Sequence, residues 1–144
     1  MIYNILMERY TDSQTWYAIF DRSHGGRTWW KLFLHPAFQH VHLVRDNRDY
    51  SLAVNSFRHV MAVREYPNTI EDFLQQELAQ NPTAILQMTV HYGSYYKECP
   101  IDILSCVSVA KRLLGIHSRL LTPKQLYHEM IRAGATVIKP YCVL

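Results

Sequence analysis

Apolar and polar positions alternate with a period of two at 39–45, which is typical of a half-buried β-strand, and four other segments are also predicted as strands. Each segment is rich in β-branched and aromatic residues and is bounded by turn formers. They occupy 16–21, 39–45, 50–55, 57–64 and 84–91. The turn at 46–49, rich in Asp and Asn, joins the second and third segments, so we predict a β-hairpin there.

Helical spacing appears in four other segments. A short apolar helix is predicted at 28–34, and an amphipathic one at 68–79 with Asn68 as its N-cap. Its apolar face consists of Ile70, Phe73, Leu74 and Leu78. The third helix spans 105–115, where Ser105 is the N-cap and Gly115 the stop.

Pro123 begins the fourth predicted helix, which runs to Arg132 and ends at Gly134. The tail from 135 to 144 adds an edge strand. Strands and helices are mixed along the chain around an antiparallel core, which indicates an α+β fold.

Composition restricts the class of protein further. With 144 residues, 49% hydrophobic and 19% charged, the chain is expected to form one domain over 1–144 with its own core. The net charge of +3 is small and the basic residues are scattered, so a nucleic-acid partner is not expected. An odd count of three cysteines, with no signal peptide and no long apolar run, predicts reduced thiols in the cytoplasm and no membrane partner.

Cys106 is the one cysteine placed at a predicted helix start. Unpaired N–H groups and the helix dipole can lower a thiol pKa there from about 8.5 toward roughly 3.5–7.5. Cys106 is therefore the candidate nucleophile. The competing interpretation is a small buried hydrophobe on an apolar helix, because free cysteine is among the most buried residue types.

The predicted hairpin supplies a candidate base. If its turn pairs Arg45 with Tyr50, then His40 lies directly opposite Asn55. Cross-strand partners hold their Cβ atoms about 4.5–5.5 Å apart, which is within hydrogen-bonding reach for these side chains.

A histidine base needs a polar group to orient it, and in papain-like enzymes that group is Asn or Asp. The pairing makes His40 the base and Asn55 its orienter, whereas His42 faces Ala53, which offers no polar partner. The alternative is that His40 and His42 are polar residues of a half-exposed strand and that Asn55 is a turn former. A register shift of one residue would separate the pair.

Motifs for cofactors and metals are missing from the sequence. It contains no C-x-x-C, H-x-x-x-H or H-E-x-x-H spacing, and His40-Val-His42 alone is a weak signal for zinc. No glycine-rich phosphate loop occurs either. We therefore expect neither a metal nor a cofactor.

Several separated blocks resemble a family of small proteins from bacteriophages, prophages and bacteria. The blocks are WWKLFLHPAFQHV at 29–41, Asn55, LSCVSVAKRLLGI at 104–116 and LTPKQLY at 121–127. That family is similar to circularly permuted papain-like proteins related to the NlpC/P60 cysteine peptidases and amidases. The resemblance covers about residues 16–132, and the histidine strand precedes the cysteine helix as in permuted members.

The resemblance implies a permuted papain-like α+β fold with Cys106 as nucleophile, His40 as base and Asn55 where relatives often carry an acid. It implies a hydrolase of thiol-protease type on an acyl or peptide substrate, with peptidoglycan peptides as one choice. This chain departs from the pattern in Ser108, which replaces a capping glutamate, and in the uncharged Asn55. The alternative function is a catalytically silent module in a phage virion, or an accessory protein, that binds other phage proteins through Tyr92, Tyr95 and Tyr96.

Overall fold

A computed structural model describes residues 13–22, 34–57, 60–91, 105–119 and 122–142. They form six strands and three helices in an α+β arrangement. The strands are β1 (Ser13–Asp21), β2 (His40–Asp46), β3 (Ser51–Phe57), β4 (Val60–Tyr66), β5 (Ala84–His91) and β6 (Thr136–Lys139). The helices are α1 (Ile70–Ala79), α2 (Cys106–Leu114) and α3 (Pro123–Arg132). None of these helices is long and apolar enough to cross a membrane.

All six strands join one sheet in the order β4-β3-β2-β1-β5-β6, and every neighbouring pair is antiparallel. β1 lies in the interior because its alternating residues are apolar on both faces and are buried from Trp16 to Phe20. The predicted antiparallel core is thus confirmed.

The two faces of the sheet carry separate apolar clusters. On one face, Phe20, Val41 and Leu43 pack with residues of α2 and α3, including Val107 and Leu126. On the other face, a second cluster joins the sheet to α1 and comprises Tyr17, Ile19, Val44, Ala53, Ile70, Phe73 and Ile85. Side chains alternate between these faces along each strand, so a residue's position in the strand decides which helix it meets.

The hairpin of β2 and β3 forms, but its register differs from the prediction. Arg45 pairs with Leu52 rather than with Tyr50, and the closing pair is Asp46 with Ser51. The connecting loop has four residues, as predicted, but it spans 47–50 instead of 46–49. The Oδ1 atom of Asp46 accepts the backbone N–H of Arg48, and Arg48 has a φ of 67°. This local turn, which asparagine and aspartate favour, leaves Asp46 in the strand pairing and Tyr50 in the loop.

Two predicted boundaries are wrong by a few residues. The N-cap of α1 is Thr69 and not Asn68, since the Thr69 hydroxyl accepts the backbone N–H of Asp72 and Thr69 itself is extended. The strand predicted at 57–64 begins at Val60 and reaches Tyr66, while Phe57 belongs to β3.

The helix predicted at 28–34 lies outside the described residues except for Leu34, which is not helical.

Both later helices begin as predicted. Ser105 caps α2, and Gly115 ends it in the left-handed conformation with a φ of 67°. Thr122 caps α3 with Pro123 in the first turn. The predicted edge strand is β6, which pairs with β5.

Candidate active site at the start of the second strand

His40 and Asn55 are in direct contact. The Nε2 atom of His40 lies 2.7 Å from the Oδ1 atom of Asn55, and both side chains are half-buried. Because an amide oxygen only accepts hydrogen bonds, this contact requires the proton on Nε2 and leaves the lone pair on Nδ1. The bond therefore orients the ring.

The contact exists although the predicted register was wrong. Relative to the prediction, β3 is shifted along β2 by two residues, and a shift of an even number keeps every side chain on its face of the sheet. Asn55 thus stays on the face of His40 and reaches it diagonally rather than directly across. Diagonal neighbours on one face lie within reach of long side chains.

Cys106 is the first residue of α2, as the sequence predicted. Ser105 and Ser108 form a reciprocal capping box, in which each side chain accepts the backbone N–H of the other residue. The hydroxyl of Ser108 thus makes the bond that a glutamate or glutamine side chain makes in the usual capping box. The start of α2 is fixed without an acidic residue.

Burial governs the chemistry of the Cys106 thiol. Desolvation raises its pKa above the ordinary value, and hydrogen bonds from the backbone N–H groups of Val41, Val107 and Cys106 itself offset only part of this rise. A low-pKa thiol at this helix start was the expectation, and the direction of the shift is the opposite. Cys106 therefore holds its proton at neutral pH, which matches the buried-hydrophobe interpretation in this respect.

Cys106 and His40 approach β2 from different faces. Cys106 packs against the cluster that contains Val41 and Leu43. The His40 ring stacks at 6.2 Å with the ring of His42, which points toward Glu77 of α1. The structure thus brings His40 to Asn55, and brings Cys106 to the backbone of Val41, the residue after His40.

His42 has two acidic neighbours that the sequence reading missed. Its Nδ1 atom lies 3.4 Å from Asp21 Oδ2, and its Nε2 atom lies 3.7 Å from Glu77 Oε2. The expectation that His42 has no polar partner is wrong, because the partners come from β1 and α1 rather than from β3. One signal was present in the sequence, since Glu77 lies one turn after Phe73 on the apolar face of its helix.

Other candidate residues lie outside the described part of the chain. They include Cys99, His24, His59 and the proposed partner-binding residues Tyr92, Tyr95 and Tyr96. Cys142 is described, and its thiol is exposed.

Comparisons with known proteins give no further assignment. No protein-family model, no curated protein and no solved structure matches this chain.

Proposed function

We propose that this protein is a cysteine hydrolase or acyltransferase that acts on amide or ester bonds. Cys106 is the nucleophile, His40 the general base and Asn55 the group that orients the base. The contact of 2.7 Å between His40 Nε2 and Asn55 Oδ1 carries the proposal, since it provides an oriented imidazole next to the strand residue that bonds the thiol.

The proposed reaction has two halves. In the first, the Cys106 sulfur attacks the carbonyl carbon while its proton passes to His40 through an intervening water, because the two side chains lie on different faces of β2. The bond to the leaving amine or alcohol then breaks, and that group takes the proton from His40. In the second half, water or another acceptor gives its proton to His40 and attacks the thioester, which releases the acyl group and restores the thiol.

The environment of the thiol favours proton transfer during attack rather than a preformed thiolate. Burial raises the pKa of Cys106, so the resting thiol is neutral. The backbone N–H groups at the first turn of α2 can stabilise negative charge on sulfur and on the carbonyl oxygen. Ser105 and Ser108 hold that turn in place.

The proposal also covers the fold family, the kind of organism and the location of the protein. An antiparallel sheet with a cysteine at the start of a packed helix supports a circularly permuted papain-like fold related to NlpC/P60 proteins. On this basis we infer a protein of a bacterium or phage, in the cytoplasm or the virion, with peptide stems of peptidoglycan as the first substrates to try. No metal or cofactor takes part in this reaction.

Specific observations favour a second candidate function. The Cys106 thiol is largely buried with a raised pKa, and His40 lies on the other face of β2 from the cluster that Cys106 joins. Both observations are expected of a papain-like module that has lost turnover and acts through protein contacts, as a phage virion or accessory protein.

Acylation of the full chain with p-nitrophenyl acetate separates these two functions. We expect a burst of p-nitrophenolate and an acetyl adduct on Cys106, found by mass spectrometry of proteolytic peptides. Cys106→Ala should abolish the burst, and His40→Ala should slow it by at least about 100-fold, as removal of a general base does.

Cys142→Ala is the matched control, because it removes a thiol that is exposed rather than buried. It should leave the burst unchanged. Acetylation of Cys142 alone, or equal rates for the His40→Ala variant and the parent protein, would reject the hydrolase and favour the silent module. A positive result would then justify assays on peptidoglycan peptides.

A further inference from the structure

A second group of chemically active side chains lies beside the proposed active site. Asp21 of β1, His42 of β2 and Glu77 of α1 each offer one ligand atom, and these atoms all lie within 4.8 Å of one another. The three side chains are 26%, 12% and 17% exposed, respectively, so the group is mostly shielded from solvent. Three separate elements thus converge on one partly buried point.

An ordinary ion pair does not account for this group. The contacts of 3.4 and 3.7 Å exceed the usual length of about 2.7–3.2 Å for a hydrogen bond, so His42 donates a good bond to neither carboxylate. Among the described residues, neither Asp21 nor Glu77 has another side-chain hydrogen bond. Even with His42 protonated, the group keeps one negative charge in excess.

Burial adds to this imbalance. Desolvation raises the pKa of the Glu77 carboxyl, the positive charge of His42 lowers it, and the charge of Asp21 raises it again. Two carboxylates that face each other across one imidazole, without donors, are poorly stabilised as anions. A bound cation would offset the repulsion between the Asp21 and Glu77 carboxylates and would give both of them a partner.

We propose that Asp21, His42 and Glu77 form a binding site for a divalent transition metal ion such as Zn²⁺. Zinc binds nitrogen and oxygen ligands at about 2.0–2.2 Å, and tetrahedral ligands at that distance are about 3.4 Å apart. Asp21 Oδ2 and His42 Nδ1 already have this separation, at 3.4 Å. Glu77 faces the other ring nitrogen, Nε2, so its carboxylate has to move toward the Asp21 side to bind the same ion.

The ligand set determines the class of metal. One imidazole with two carboxylates suits Zn²⁺, Mn²⁺ or Co²⁺, whereas Mg²⁺ and Ca²⁺ prefer oxygen ligands alone. Three protein ligands leave at least one coordination position for water or for an outside ligand. This site uses none of the three proposed catalytic residues. The metal-site proposal can therefore be tested independently of the proposed hydrolase activity.

The test is titration of the chelator-treated full chain with Co²⁺, followed by absorption spectroscopy and by calorimetry. We expect one ion per chain and visible d–d bands, without the near-ultraviolet charge-transfer band that a thiolate ligand produces. Thermal unfolding of the same protein should shift to a higher temperature with Zn²⁺, because an ion that binds only the folded state stabilises it.

Variants locate the ion. Glu77→Gln and Asp21→Asn should each weaken Co²⁺ binding by at least about tenfold and reduce the zinc-dependent shift. Glu71→Gln, an exposed position on the same helix, is the matched control and should change neither. Absence of binding, a thiolate charge-transfer band, or equal affinity in all variants would overturn the proposal. If one ligand variant does not fold, the other gives the same comparison.

Discussion

His40 and His42 are two residues apart on one strand, yet their surroundings differ. The neutral amide of Asn55 contacts His40, whereas His42 lies between the carboxylates of Asp21 and Glu77. A neutral oxygen acceptor fixes the tautomer of the His40 ring, whereas two carboxylates place negative charge on both sides of the His42 ring. Neighbouring imidazoles of the same face are therefore suited to different chemistry.

The Asn55 contact can be tested through the tautomer of His40. Asn55→Ala removes the acceptor at 2.7 Å, so the His40 ring should change from the Nε2-protonated form to a mixture of tautomers. Loss of this hydrogen bond should also lower the free energy of unfolding by about 1 kcal/mol. Nitrogen-15 NMR of the ring nitrogens reports the first effect, and urea unfolding reports the second.

Asn55→Asp is the control, since it keeps an oxygen acceptor and should keep the proton on Nε2. Identical ring-nitrogen shifts in the parent protein and Asn55→Ala would show that Asn55 does not determine the tautomer.

At the scale of elements, helix α2 fixes the position of Cys106. Its capping box, its left-handed Gly115 and the basic residues Lys111 and Arg112 in its last turn all support a helix with these ends. The Ser105 hydroxyl accepts the N–H of Ser108, and the backbone N–H groups of Cys106 and Val107 bond the thiol. The cap thus links the local sequence to the candidate site.

Ser105→Ala should destabilise this helix start. The variant loses the Oγ acceptor for the Ser108 N–H, which typically costs about 1 kcal/mol. We expect a lower midpoint of urea unfolding and faster alkylation of Cys106 by iodoacetamide, because the first turn opens more often.

Ser13→Ala removes an exposed serine from β1 and serves as the comparison. If Ser105→Ala and Ser13→Ala have the same midpoint, the cap contributes nothing measurable to stability.

At the scale of the whole molecule, one sheet separates two apolar clusters and holds the candidate groups near the start of β2. α2 and α3 cover one face, and α1 covers the other. Helix α3 contributes Leu126 and Met130 to the first cluster, and both side chains are fully buried. The packing of α3 therefore supports the sheet from the side on which Cys106 lies.

Leu126→Ala measures this support. Leu126 is 0% exposed, so its truncation should lower the free energy of unfolding by about 2–5 kcal/mol through lost burial and a residual cavity. Ile131 in the same helix is 38% exposed, and Ile131→Ala should cost much less. Equal losses for the two variants in urea unfolding would contradict this assignment of the core.

Local patterns in the sequence determined most of the elements. Apolar runs bounded by turn formers predicted β1 to β5 to within three residues, and serine, proline and glycine marked the ends of α2 and α3 correctly. The contact between His40 and Asn55 was also predicted correctly. A register shift of two residues keeps both side chains on the same face of the sheet. Such features depend on neighbours in sequence or on one hairpin, which is why they can be predicted.

Tertiary structure alone decided the rest. The group of Asp21, His42 and Glu77 draws on β1, β2 and α1, so no fixed spacing along the chain reveals it. The raised pKa of the Cys106 thiol depends on how deeply packing buries it, although its place at a helix start predicted the reverse. The sequence by itself determines where strands and helices form, whereas burial and charge at each site arise from contacts between distant segments.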